Sequence, residues 1–268
     1  MMIAVTYKCS MGCNHCISDC NPDGEHMSVD TFTDAMDFLL MHRVPVWVIS
    51  GGEMFEHPHI EEILDALWAV LRADNYTAAV TLTTNGQELA NNDKLLNMLS
   101  NMSNQLPNLF TQVTYDPRFY PKRLSYAQQQ KLKSSIKNIV IEEVPHHGPG
   151  KKQCLYPQGR ATNYPESWYF TKGPKCGNVR LLAKQTSSLQ QMLMGLTMHR
   201  FSCTPVIAPD GSIKCGESAL CPKVASIYDS DEEIMHKIRT MSCQSCQYSF
   251  EQMKKTNPDA YKFLMSEG

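Results

Sequence analysis

What this chain lacks narrows it first. No apolar run in its 268 residues reaches the length of about 18 that a membrane helix needs. The opening MMIAVTYK places no charged segment ahead of an apolar one, so no secretory signal is read there. Both points lead us to expect a cytoplasmic protein with no membrane partner. Basic excess is also missing: 25 Lys and Arg stand against 27 Asp and Glu, a net charge of −2, so nothing requires nucleic acid as a partner. A glycine-rich phosphate loop and a nucleophile elbow are likewise absent. Cysteine is missing from the 133 residues between Cys20 and Cys154, although the chain holds 11. A reducing cytosol does not keep structural disulfides, and an odd count in a chain this long argues against a disulfide scaffold. Metal or redox chemistry is therefore expected of the cysteines.

The cysteine-free middle alternates in period. Ile3 to Tyr7 is a short β-rich run. Ser28 can cap a helix whose Val29, Phe32, Met36, Leu39 and Leu40 recur at helical spacing. The apolar run VPVWVIS, stopped by Gly51-Gly52, suits a buried parallel strand. Ile60, Ile63, Leu64, Leu67, Trp68 and Leu71 form an amphipathic stripe. AAVTLTT, a helix around Leu95, Leu99 and Met102, NLFTQVTYD, a polar helix near Ser125 to Ser135, and NIVIEEV continue the alternation. Such a series implies right-handed βαβ units around a parallel sheet or barrel, whose ligands collect at the C-terminal strand ends. Four strand ends carry unusual residues: the cysteine loop, Ser50-Gly51-Gly52-Glu53, Thr84-Asn85-Gly86 and Asp116.

The loop after the first strand reads CSMGCNHC, a C-x3-C-x2-C spacing. Three thiolates do not complete a tetrahedral zinc site, but they leave one iron of a 4Fe-4S cube without a protein ligand. A zinc knuckle is the alternative, with Cys20 or His15 as fourth ligand. The motif resembles the signature of the radical S-adenosylmethionine (radical SAM) superfamily, with Cys9, Cys13 and Cys16 as cluster ligands and His15 where many members carry an aromatic residue. Cys20 is then a bystander. Gly51, Gly52 and Glu53 resemble that family's GGE motif, which implies binding of the cofactor's amino group. TLTTNG and VTYDP resemble its third- and fourth-strand segments, making Thr84, Asn85 and Asp116 candidate cofactor contacts. Asn-Gly and Asp-Pro are also ordinary turn and loop chemistry.

The second cysteine group is different in layout. CTPVIAPDGSIKC, from Cys203 to Cys215, contains the hairpin turn Pro209-Asp210-Gly211, and CQSC supplies Cys243 and Cys246. Four such thiolates can saturate a second cluster, or equally a zinc ion. The layout resembles the SPASM extension of radical SAM peptide maturases, or its shortened twitch form, and LYPQGRA resembles the Gly-Arg-Ala segment that precedes it. A full SPASM domain carries a denser cysteine run, so the resemblance implies one auxiliary cluster, with Cys221 as alternative ligand. Cys154 and Cys176 are either free core thiols or flank a substrate channel.

The fold expected is thus α/β: a partial (β/α)6 TIM-like barrel over 1–190 and a small cysteine-rich extension over 191–268. No separate leader-peptide-binding domain is expected before Tyr7. His57, His59, His146, His147 and the Met-rich stretch near Met192 read as capping, solvated-loop and core residues. What the resemblance implies is an enzyme that takes an electron from a donor such as flavodoxin or ferredoxin and cleaves S-adenosylmethionine to a 5'-deoxyadenosyl radical, which abstracts a substrate hydrogen. The leading expectation is a peptide or protein substrate, as in ribosomal-peptide or sulfatase maturases. The alternatives are a small molecule or nucleobase, in the manner of 7-carboxy-7-deazaguanine synthase, and a structural zinc- or iron-binding interaction module.

Overall fold

The computed structural model describes residues 1–73, 78–114, 118–142, 155, 159–165, 177–198, 203–219, 221–242, 251 and 253–266. Asp116, Cys154, Cys176, Cys243 and Cys246 lie outside them.

Five parallel strands follow the expected runs closely: β1 (Met2–Thr6), β2 (Val46–Gly51), β3 (Ala79–Thr84), β4 (Leu109–Thr114) and β5 (Ile139–Glu142). Between them lie α1 (Val29–Met41), α2 (Ile60–Ala73), the short α3 (Gln87–Asn91), α4 (Asp93–Gln105) and α5 (Tyr126–Ser135). Side chains set the starts. Ser28 Oγ accepts from the Thr31 amide and opens α1, while Ser125 and Gln128 form a reciprocal capping box on α5. Helices α6 (Gly177–Gln185), α7 (Leu189–Met198), α8 (Asp231–Thr240) and α9 (Pro258–Met265), the strands β6 (Val206–Ile207), β7 (Ser212–Lys214) and β8 (Lys223–Ser226), and short 3-10 helices at Met54–Glu56 and Gly159–Asn163 complete the described elements.

One open eight-stranded sheet results, in the order β5-β4-β3-β2-β1-β6-β7-β8. The expected hairpin is present. Gly211, at φ 78°, turns β6 into antiparallel β7, and Asp210 accepts from the Ser212 amide and hydroxyl. Its position was not foreseen. The sixth parallel strand does not extend the series beyond β5; it pairs with β1, Met2 opposite Val206, so β1 lies inside the sheet rather than at its edge. A two-residue strand carries too little periodicity to reveal its neighbour, and backbone pairing to β1 decides the matter.

Helices cover one face. Ile3, Val5, Ile49, Val80, Leu82, Leu109 and Val113 share a continuous buried cluster with Phe32, Met36 and Leu39 of α1, Ile63, Leu64 and Leu67 of α2, and Leu95 and Leu99 of α4. Residues from α6, α7 and α8 join the same cluster, Met192 among them. On the other face Met2, Ala4 and Val206 form a separate small cluster with Tyr7 and Val48. Alternation along β1 thus splits its side chains between the two faces. Among the described residues the cover is one-sided, which is the plan of a barrel wall rather than of a doubly wound sheet. Among the described residues no helix is long and apolar enough to cross a membrane.

Leu67 is fully buried on the stripe of α2. Leu67→Ala should cost about 2–5 kcal/mol, read as a lowered urea midpoint with unchanged m-value.

Candidate cofactor site at the strand ends

The cysteine loop leaves β1 at Thr6 and is closed on itself by backbone pairs: Cys9 N–H to Asn21 O (2.9 Å), Asn21 N–H to Tyr7 O (3.2 Å) and Met27 N–H to Val5 O (2.8 Å). Gly12, at φ 67°, and a Cys16-to-Cys13 turn fold its interior. Cys13 and Cys20 are buried, Cys9 and Cys16 partly so. Burial pushes the Cys13 thiol up to about 12, with the neighbouring Cys9 and Cys16 adding to it, and burial pushes Cys9 up to about 11. Cys16 moves the other way, down to about 6, because the Cys20 thiol hydrogen-bonds to its sulfur; the Cys20 amide also donates to it (3.4 Å). These thiols therefore sense one another, and ionising all three is costly unless a metal takes them. Among the described residues no three His, Cys, Asp or Glu side chains close on a single ion. A four-iron cube spreads its thiolates over separate corners, and three mutually interacting cysteines on one loop suit that donor set better than a lone ion.

The Gly-Gly-Glu segment meets this loop backbone to backbone. Gly52 N–H donates to Thr6 O (2.7 Å) and Glu53 N–H to Lys8 O (2.8 Å). A Cβ on Gly51 would lie 2.0 Å from Thr6 O, and Gly51 has φ 137°; a Cβ on Gly52 would lie 2.1 Å from Lys8 O. The glycines thus allow β2 to approach the cysteine loop. Glu53 is fully buried. Its carboxylate accepts from Thr84 Oγ1 (2.6 Å), Asn85 N–H (2.7 Å) and Phe55 N–H (3.2 Å), joining the end of β2 to that of β3. Burial raises its pKa to about 7 against an ordinary 4.5, only partly opposed by these donors. Thr84 and Asn85, expected as cofactor contacts, are thus the buried partners of Glu53.

Several contacts were not legible in the sequence. Glu56, one turn past Glu53, receives both the Ser10 amide (3.0 Å) and hydroxyl (2.7 Å). His15 stacks on Phe119 at 4.7 Å between centroids and lies 5.4 Å from Tyr120, so the residue in the aromatic position of the motif does meet aromatic rings. Arg160, in the Gly-Arg-Ala segment, donates from Nε to Cys13 O (2.9 Å) and from Nη1 to Cys20 O (2.7 Å). Only the Gly-Arg-Ala signal pointed toward it.

The second cysteine group lies against the first. Ala219 N–H donates to Ile17 O (2.9 Å) and Ser18 Oγ to Glu217 O (3.1 Å), so the segment after β7 rests on the loop between Cys16 and Cys20. Gly216 sits between two thiols: a Cβ there would be 3.1 Å from Cys221 Sγ and 3.9 Å from Cys203 Sγ. Cys215 precedes it and is buried. Lys214 is also buried, its ammonium 5.5 Å from the Tyr7 ring centre and donating to Ser218 O (3.1 Å). Cys203, Cys215 and Cys221 are thus gathered around one glycine, while Cys243 and Cys246 fall outside the described residues.

No family model matches the chain. Over 62 residues it is 36% identical to the antilisterial bacteriocin subtilosin biosynthesis protein AlbA of Bacillus subtilis (strain 168), a match covering 23% of this chain and 14% of AlbA. The chain thus spans about a seventh of that relative. The arrangement above puts the C-x3-C-x2-C loop, the Gly-Gly-Glu segment and Thr84-Asn85 at one hydrogen-bonded rim of a barrel-like wall. Among solved structures, the chain aligns with BtrN in complex with AdoMet and 2-DOIA at a TM-score of 0.49 and 14% identity, over 94% of this chain and 85% of that one. It also aligns with Streptococcus suis SuiB bound to precursor peptide SuiA at 0.42 and 13%, over 92% and 69%. At those scores neither likeness decides the chemistry of this chain.

Glu53→Gln should put an amide donor against the donors of Thr84 or Asn85 and cost about 1–3 kcal/mol in the metal-free protein, read by urea denaturation. In the wild-type chain the folded carboxyl binds its proton more tightly than the unfolded one, so its contribution to stability falls as pH rises from 4.5 to about 7. That segment of the stability–pH curve should be absent from the variant.

Proposed function

We propose that this chain is a radical SAM enzyme and that it modifies a peptide. In this reading Cys9, Cys13 and Cys16 hold a 4Fe-4S cluster, and Gly51, Gly52, Glu53, Thr84, Asn85 and Asp116 frame S-adenosylmethionine beside it. When bound, the cluster supplies an electron, delivered by a donor such as flavodoxin or ferredoxin, that cleaves S-adenosylmethionine to methionine and a 5'-deoxyadenosyl radical able to abstract a substrate hydrogen. The observation that carries the reading is the hydrogen-bonded rim itself. Three thiols sit on one loop held by the backbone of Gly52 and Glu53, and the thiol of Cys20 beside them is a hydrogen-bond donor to Cys16.

The chain's own residues do the positioning. Thr6 and Lys8 carbonyls fix the Gly-Gly-Glu segment against the loop, and Glu53 ties β2 to β3 so that two strand ends present one surface. His15, Phe119 and Tyr120 supply stacked aromatic surface beside Cys16, suited to excluding water from reactive intermediates. The peptide substrate is supported by the local similarity to a bacteriocin biosynthesis protein and by the second thiol group. There, Cys203 and Cys215 are the proposed auxiliary-cluster ligands together with Cys243 and Cys246, and the placement of Cys221 Sγ beside Gly216 supports it as the alternative ligand.

Iron and sulfide counts on anaerobically reconstituted protein test this directly. About eight irons per chain are expected; about four would leave only the first cluster and favour a small-molecule substrate, and zinc without iron would remove both radical readings. Cys13→Ala should abolish 5'-deoxyadenosine formation from S-adenosylmethionine and dithionite, measured by chromatography. Full formation by that variant would refute the ligand assignment.

A further inference from the structure

Arg160 stands far along the chain from the cysteine loop, yet three of that loop's cysteine carbonyls are bound to it. Its backbone N–H donates to Cys16 O (3.0 Å), Nε to Cys13 O (2.9 Å) and Nη1 to Cys20 O (2.7 Å). Nη1 also reaches Asp19 Oδ1 (3.0 Å), but Asp19 is half-exposed, and an ion pair so placed contributes little. The hydrogen bonds to the carbonyls are charge-assisted and less exposed, so they carry the interaction. Gly159 makes the approach possible. It has φ 54°, and a Cβ there would lie 2.4 Å from Cys16 O and 2.5 Å from Ile17 O. Ala161, with no exposed surface, anchors the other side of the segment against Phe119 and Leu155.

We propose that Arg160 is a positioning residue of the cofactor loop: it fixes the peptide groups of Cys13, Cys16 and Cys20 together, and so pre-shapes the loop for a cluster. The assignment rests on the reading of Cys9, Cys13 and Cys16 as cluster ligands. Geometry explains the choice of arginine. A planar fork binds two carbonyls in fixed directions, which the point charge of lysine does not. The same guanidinium places a cation on the Cys13 carbonyl, while its backbone amide holds that of Cys16. A second consequence follows for the reduced cluster, which gains a negative charge beside that cation. Removing the cation should make reduction harder.

The test compares wild type, Arg160→Gln, Arg160→Lys and Asp19→Asn. In the metal-free proteins, iodoacetamide labelling of Cys13 and Cys20 is followed by mass spectrometry, with circular dichroism as the fold control. Both cysteines are nearly inaccessible in the wild-type loop, and losing the charge-assisted bonds should speed their labelling about tenfold in Arg160→Gln. Arg160→Lys should also label fast, because it lacks the fork, while Asp19→Asn should stay close to wild type. After anaerobic reconstitution, Arg160→Gln should bind less iron, and the cluster that does load should show a more negative midpoint potential in an EPR-monitored titration. Arg160→Lys should hold a potential near wild type. Should Arg160→Gln fail to fold, Arg160→Lys decides by its labelling rate. Wild-type labelling rates in the folded Arg160 variants would overturn the proposal. If wild type itself binds no iron at the first loop, the cofactor reading fails, while the labelling experiment still judges the clamp.

Discussion

Everything at the rim depends on the close approach of two strand ends. β2 finishes with its backbone hydrogen-bonded to Thr6 O and Lys8 O, at a distance that leaves no room for a Cβ on Gly51 or Gly52. A strand end held that tightly cannot drift relative to the cysteine loop, and Glu53 carries the constraint across to β3 through Thr84 and Asn85. Burying this carboxylate is unfavourable, as its raised pKa reports. Three hydrogen bonds offset the cost and leave a rigid corner where two strands meet one loop. A rigid corner is what a reactive cofactor requires of its protein.

The cysteine loop is then secured from the rest of the chain. Glu56 holds Ser10 near its start, Arg160 holds the peptides of Cys13, Cys16 and Cys20, and the segment after β7 holds Ile17 and Ser18. These three supports come from widely separated parts of the sequence. Residues 7–27 form no strand or helix of their own beyond isolated bridges, so their shape is imposed by neighbours rather than by local propensity. Order in this loop is therefore linked to the folding of the C-terminal part, because whatever stabilises the supports also orders the loop.

Placement of β6 beside β1 explains why the two thiol groups are neighbours. Had the sixth strand followed β5, Cys203 and Cys215 would have been carried to the far edge of the sheet. Pairing of Met2 with Val206 instead brings the β6–β7 hairpin next to the strand that launches the first loop. Contact between the Glu217–Ala219 segment and Ile17–Ser18 follows from that pairing. The buried Lys214 belongs to the same seam, its ammonium over Tyr7 and its backbone next to Cys215.

The sequence by itself determined the helix and strand series of the first half, because period-2 and period-3.6 apolar patterns, Ser28 and Ser125 as caps, and Pro209-Asp210-Gly211 as a turn are local signals with local causes. It also supplied the residues on which the proposed chemistry rests, since a C-x3-C-x2-C loop and a Gly-Gly-Glu segment are short enough to be read as written. Tertiary structure alone decided the rest. The neighbour of β1, the β3 partners of Glu53 and the clamp formed by Arg160 are contacts between residues about 30 to about 200 positions apart, and no periodicity or propensity encodes which distant segment will meet which. It also changed the meaning of Gly51 and Gly52. Their lack of a side chain was visible in the sequence, but that the space is filled by Thr6 O and Lys8 O follows only from how two backbones pack.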